Sequence, residues 1–63
     1  MKATPAMRSF IRTIRASCRP AAARAAERAF FDAYRASLEV DIEPGDAVGI
    51  GEAAAIDAMK VFI

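Results

Sequence analysis

The sequence predicts an all-α fold, a small bundle of three helices, on three observations. Apolar residues recur three and four positions apart in separate stretches, the spacing of one helix face. Sixteen of the 63 residues are alanine, the strongest helix former, so local preference favours helix wherever packing does not decide otherwise. Pro5, Pro20 and Pro44 each stand where a helix can begin, because a first turn has no use for the N–H that proline lacks. A chain of this length makes one domain at most, and residues 1–63 read as a single small helical domain.

The first helix is expected over about 5–17. Thr4 can act as N-cap, and Pro5 fits the first helical position. Met7, Phe10, Ile11, Ile14 and Cys18 then form one apolar stripe. Arg8, Arg12, Arg15 and Arg19 recur on the same period, displaced about 100° around the axis. The helix should end near Ser17, because Pro20 holds Arg19 away from helical geometry.

The second helix is expected over about 19–39, with Ser17 as its cap. Arg24, Arg28, Asp32, Arg35 and Glu39 share a narrow polar arc. Within it, Arg28–Asp32, Asp32–Arg35 and Arg35–Glu39 are favourable pairs worth about 0.2–0.5 kcal/mol each. Phe30, Phe31, Tyr34 and Leu38 occupy the other side, where Ala22, Ala26, Ala29 and Ala33 leave a smooth surface for close packing. Only Glu27 intrudes there. Phe30, Phe31 and Tyr34 are thus candidate helix-packing or interface residues. Residues 38–43, LEVDIE, alternate apolar and acidic, which suits either a short strand or a helix end running into a loop. Pro44-Gly45 punctuates the chain there.

The third helix is expected over about 45–62. Ile50, Val61, Ala54, Ala47, Ala58, Gly51, Phe62, Ala55, Val48 and Met59 fill one half of its circumference, and Glu52, Asp57 and Lys60 fall on the other. Ile56 and Ile63 are out of place on the polar side. Asp46 in the first turn suits the helix dipole. Gly49 and Gly51 cost about 1 kcal/mol each relative to alanine inside a helix. They mark a place where another helix, the chain's own or a partner's, comes close.

The residues EPGDAVGIGE and DAMKV of this same segment resemble the biotinyl domain of biotin-dependent carboxylases and decarboxylases. In that family a Gly-Asp-x-Val-x-x-Gly run leads into Glu-Ala-Met-Lys, whose lysine sits on a hairpin tip and carries biotin. The matching positions are Gly45, Asp46, Val48, Gly51, Asp57 in place of the usual glutamate, Ala58, Met59 and Lys60. The resemblance implies a swinging-arm carrier with Lys60 as attachment site, on a truncated biotinyl-like β-hairpin over residues 38–63. Three departures favour the helix. This chain has one residue fewer between the second glycine and the lysine, and a one-residue shift turns every strand side chain to the opposite face. Ala53-Ala54-Ala55-Ile56 stands where the family has β-branched residues. Three residues follow Lys60, whereas the family fold needs several further strands.

Composition narrows the functional classes. The chain has no histidine, which removes the usual general base and the commonest zinc ligand. Cys18 stands alone, so neither an internal disulfide nor a cysteine-rich metal site is available, and a reducing compartment fits. Cys18 itself is expected to be a small buried apolar residue. Glu39, Asp41, Glu43 and Asp46 lack the spacing of a calcium loop and read as a solvated linker. No apolar run is long enough to cross a bilayer or to serve as a secretory signal. The expectation is a cytoplasmic protein that is not an enzyme, with no cofactor, no metal and no membrane association.

The charges are unevenly divided. Residues 1–31 carry Lys2, Arg8, Arg12, Arg15, Arg19, Arg24 and Arg28 against Glu27 alone, a net +6; the remaining residues carry a net −5. This points to an anionic partner, or to one half of the chain lying against the other. Arg8, Arg12, Arg15 and Arg19 are the candidate face for a protein or nucleoprotein target with an acidic or phosphate surface. Nucleic acid is the alternative partner of the same ridge, although interleaved aromatics are missing and the second helix is too mixed in charge for a recognition helix. Residues 1–26, rich in arginine and poor in acid, also resemble a mitochondrial transit peptide. Their cap and corner instead suit a retained part of the fold. Large apolar side chains are few for a core, so a homodimer or a bound state is expected. The expected function is binding without catalysis: a small regulatory or inhibitory protein that occludes a macromolecular target. As a class it is analogous to the inhibitors made by phages and mobile elements, anti-CRISPR proteins among them.

Overall fold

The computed structural model describes residues 4–62 and consists of α1 (Pro5–Ser17), α2 (Pro20–Glu39), α3 (Pro44–Met59) and a closing 3-10 turn, Lys60–Phe62. Each α-helix starts with a proline in its first turn. Among the described residues there is no strand, which overturns the β-hairpin alternative for residues 38–63. The physical reason is local. Ala53-Ala54-Ala55 prefers helix, Pro44 opens one, and Asp41 takes a left-handed conformation (φ 63°) that breaks the extended alternation of LEVDIE. Ile63 lies outside the described residues.

The caps show how the sequence sets the helix ends. Thr4 is extended, and its hydroxyl oxygen accepts from the Met7 N–H at 3.1 Å, satisfying one of the orphan donors of α1. Ser17 does not cap α2 as expected; it is the last residue of α1. Pro20 forces its predecessor into extended geometry, so Arg19 becomes the N-cap of α2, with no side-chain cap bond. At the other end of α2 the Asp41 N–H donates to the Leu38 carbonyl and the Ile42 N–H to the Ser37 carbonyl, both at 3.1 Å. That pair of bonds is a Schellman motif with aspartate in the place usually held by glycine. The turn reverses the chain and lets α3 run back along α2.

α2 and α3 form the principal pair, and α1 rests on them through fewer contacts. The core centres on Phe30, which is fully buried. Its ring stacks on Phe10 and Tyr34 (centroids 5.4 and 6.3 Å away) and meets the edge of Phe31 at 5.3 Å. α1 adds Met7 and Ile14. The side chains that α3 contributes to this core are small, Ala47, Val48 and Ala55, and α2 adds Ala23 and Ala26 beside its aromatic residues. Small residues let the two helices come close, and Gly51 is a point of close approach. A Cβ added there would stand 3.0 Å from the Phe30 carbonyl oxygen. Gly49 plays no such part, since nothing lies within 4 Å of the corresponding position. Of the two glycines expected where another helix, the chain's own or a partner's, comes close, Gly51 meets a helix of its own chain and Gly49 does not.

The inward face of α3 is narrower than the half-circle read from the sequence. Ala47, Val48, Gly51 and Ala55 are buried, whereas Ile50, Val61 and Phe62 are exposed together with Ile56. No helix among the described residues is long and apolar enough to cross a membrane.

Candidate functional site

Helix α1 places its apolar stripe inward and its arginines outward. Arg8, Arg12 and Arg15 follow one another at spacings of four and three, so their guanidiniums line one edge of the helix. Beside them, between α1 and α2, lies an open groove of about 370 Å³ lined by Met7, Arg8, Ile11, Arg12, Arg15 and Phe31. Met7 is buried, and Ile11 and Phe31 are half-buried, so the groove has an apolar floor under a cationic rim. The cause is the period of the sequence: the stripe and the ridge are adjacent on the helix, and their boundary runs along the groove.

One of the three rim charges is already engaged. Arg15 donates from Nε and Nη2 to the two carboxylate oxygens of Glu27, at 2.5 and 3.4 Å. The hydrogen bond that Arg15 donates to this carboxylate, and then the carboxylate's charge, hold the guanidinium above its ordinary pKa. Glu27, read from the sequence as an intruder on the apolar side of α2, is the bridge from α2 to α1. Among the described residues Arg8 and Arg12 have no carboxylate within salt-bridge distance; the ion pairs there are Arg15–Glu27, Asp32–Arg35 and Asp57–Lys60. Of the three pairs expected along α2, only Asp32–Arg35 forms, at 3.1 Å.

Arg19 does not belong to this edge. It stands beyond the last turn of α1, in extended geometry before Pro20, and lines a different groove, of about 390 Å³, with Cys18, Ala22, Ile56, Met59, Lys60 and Phe62. The helical period that aligned it with the other arginines stops at Ser17. Cys18 is half-buried at this corner, its Sγ 3.4 Å from Met59 Sδ. The expected packing residues divide as well. Phe30 and Tyr34 are in the core, Phe31 is on the groove floor, Gly51 is at the α2–α3 contact, and Gly49 faces solvent.

Lys60 is exposed at the end of α3, with its Nζ 3.2 Å from Asp57 Oδ1 one turn earlier. The hairpin on which the biotinyl resemblance depends does not form, so this lysine is not at a β-turn tip. Glu39, Asp41, Glu43 and Asp46 are all exposed around the α2–α3 turn, and no group of three potential metal-ligating side chains occurs among the described residues. Comparison with protein-family models, curated proteins and solved structures found no match to this chain.

Phe31, a candidate packing or interface residue from its sequence, lies beside the polar arc of α2 and reaches the α1 edge. Glu27 is the participant that periodicity alone does not single out, although it carries a signal: it is the lone acid among the first 31 residues.

Proposed function

We propose that this protein acts by binding rather than catalysis, and that the α1–α2 groove receives an acidic protein surface. The observation that carries this reading is the pairing of an apolar floor, formed by Met7, Ile11 and Phe31, with the guanidiniums of Arg8, Arg12 and Arg15 at its rim. A bare phosphate backbone would use the charges and leave the floor idle. An amphipathic segment with carboxylates beside an apolar anchor uses both, and arginine is the side chain suited to carboxylate recognition. Occlusion of that partner would make the protein a small regulator or inhibitor, of the kind for which phages and mobile elements supply the class analogy.

The test is fluorescence anisotropy with acidic amphipathic helical peptides, on the parent chain and on the double variant Arg8→Glu/Arg12→Glu. Both positions are exposed, so circular dichroism should show unchanged helicity while binding is lost. Equal affinity in the two proteins would sink the proposal. Duplex DNA serves as competitor: displacement whose log–log salt slope is about −0.9 per phosphate contact would identify nucleic acid as the partner instead.

A further inference from the structure

The outward face of α3 is apolar, which a helix at the surface of an isolated chain has no reason to be. Gly49, Ile50, Ala53 and Ile56 are all exposed, Ile50 by 41% and Ile56 by 50%. The buried residues Ala47, Gly51 and Ala55 lie on the opposite side, so α3 carries apolar residues on both its inward and its outward face, with Glu52 on the flank between them. Charge on the outward face is confined to its two ends, with Asp46 in the first turn and Asp57 and Lys60 at the last.

These residues have a specific symmetry. Ala53 is at the middle of the face; Ile50 and Ile56 stand three positions to either side of it, and Asp46 and Lys60 stand seven. At about 100° per residue, Asp46 and Lys60 fall within about 20° of the line through Ala53, and the isoleucines about 60° to either side. Two such helices laid antiparallel about a two-fold axis at Ala53 bring residues at equal and opposite separations to the same height. Asp46 then faces Lys60 of the partner subunit, and the same pair recurs at the other end. Ile50 stands level with the partner's Ile56, and the open surface at Gly49 leaves room for that side chain.

We propose that the chain forms an antiparallel homodimer through α3, with Ala53 on the two-fold axis. The occupant of this face is a second copy because the pattern is self-complementary, as a two-fold interface must be: where one residue meets another, the second meets the first. An unrelated partner would have no need for opposite charges placed symmetrically about the centre. Lys60 keeps its own Asp57 and gains Asp46 of the partner subunit, so the exposed pair at 3.2 Å becomes a three-membered cluster. This surface is on a different helix from the arginine groove, and the dimer stands or falls independently of the groove's partner.

The experiment is sedimentation equilibrium over a concentration series reaching about 1 mM, on the full chain and four variants. The parent is expected to show a monomer–dimer equilibrium. Ala53→Glu sets two like charges together on the axis and is expected to leave only monomer. Asp46→Lys and Lys60→Asp each place like charges opposite one another, and each should weaken association about tenfold. The combined exchange Asp46→Lys/Lys60→Asp restores opposite charges and should recover dimerisation. Circular dichroism checks that each variant remains helical. A parent that stays monomeric throughout overturns the proposal. So does a dimer indifferent to Ala53→Glu, or a double exchange no better than its single components.

Discussion

Gly51 of α3 lies directly against Phe30 of α2: a Cβ on the glycine would sit 3.0 Å from the Phe30 carbonyl oxygen and 3.1 Å from two of its ring carbons. Phe30 cannot retreat, because its ring is fully buried between Phe10, Phe31 and Tyr34. Gly51→Ala is therefore expected to destabilise the fold by about 1–3 kcal/mol through overpacking, despite the helix preference of alanine. Gly49→Ala meets open space and is expected to stabilise the dilute monomer by about 0.5–1 kcal/mol. Urea unfolding of both variants reads the difference; midpoints shifted in the same direction would refute the close approach.

Asp41 occupies the left-handed position of the turn that ends α2, where a side chain beyond glycine is strained. Asp41→Gly is expected to raise stability by about 0.5–1 kcal/mol, and Asp41→Val to lower it. Thermal melts of the two variants should bracket the parent. A melt of Asp41→Val at or above the parent would contradict the turn geometry.

Glu27 is the acid that holds one arginine of the groove. Glu27→Gln removes the charge but keeps an acceptor, and both partners of this pair lie near the surface, so the unfolding midpoint should change little. Binding of an acidic peptide should tighten by roughly two- to fivefold, the scale of one solvent-exposed charge pair. Arg15 will not act as a pH switch. Its raised pKa contributes stability that is present below the unfolded value and is lost only as pH climbs through the folded one, far into the alkaline range. A pH titration of peptide affinity that shows Arg15 losing its proton between about pH 5 and 9 would count against this assignment.

Thr4 accepts the Met7 N–H at 3.1 Å and so anchors the free end of α1. Thr4→Ala is expected to cost about 1 kcal/mol. Hydrogen exchange should localise that loss to the first turn of α1; equal acceleration in α2 and α3 would show that the cap supports the whole fold instead.

Much of the architecture was legible because punctuation and periodicity agree. Thr4-Pro5, Pro20 and Pro44 mark three starts, and the apolar spacing between them is helical. The alternation in LEVDIE was ambiguous because a helix end and a strand share short apolar–acidic patterns; the left-handed Asp41 resolves it, and such a residue is hard to foresee when it is not glycine. Arg19 fits the period of the ridge, but Pro20 ends the helix before it, and the corner legible in the sequence outweighs the period. Gly49 and Gly51 look alike in sequence, yet only two positions separate an inward face from an outward one. Glu27 illustrates a different limit: its partner Arg15 is twelve positions away and on another helix.

The light docking of α1 has an evolutionary consequence. The interlocked aromatic and small side chains that set the fold are concentrated in α2 and α3, whereas Arg8 and Arg12 project from a helix that fastens itself through Met7, Phe10 and Ile14. Exposed positions of this kind tolerate replacement with little change in stability. The outer edge of α1 can therefore be rewritten residue by residue, acquiring new specificities, while the hairpin beneath it stays the same.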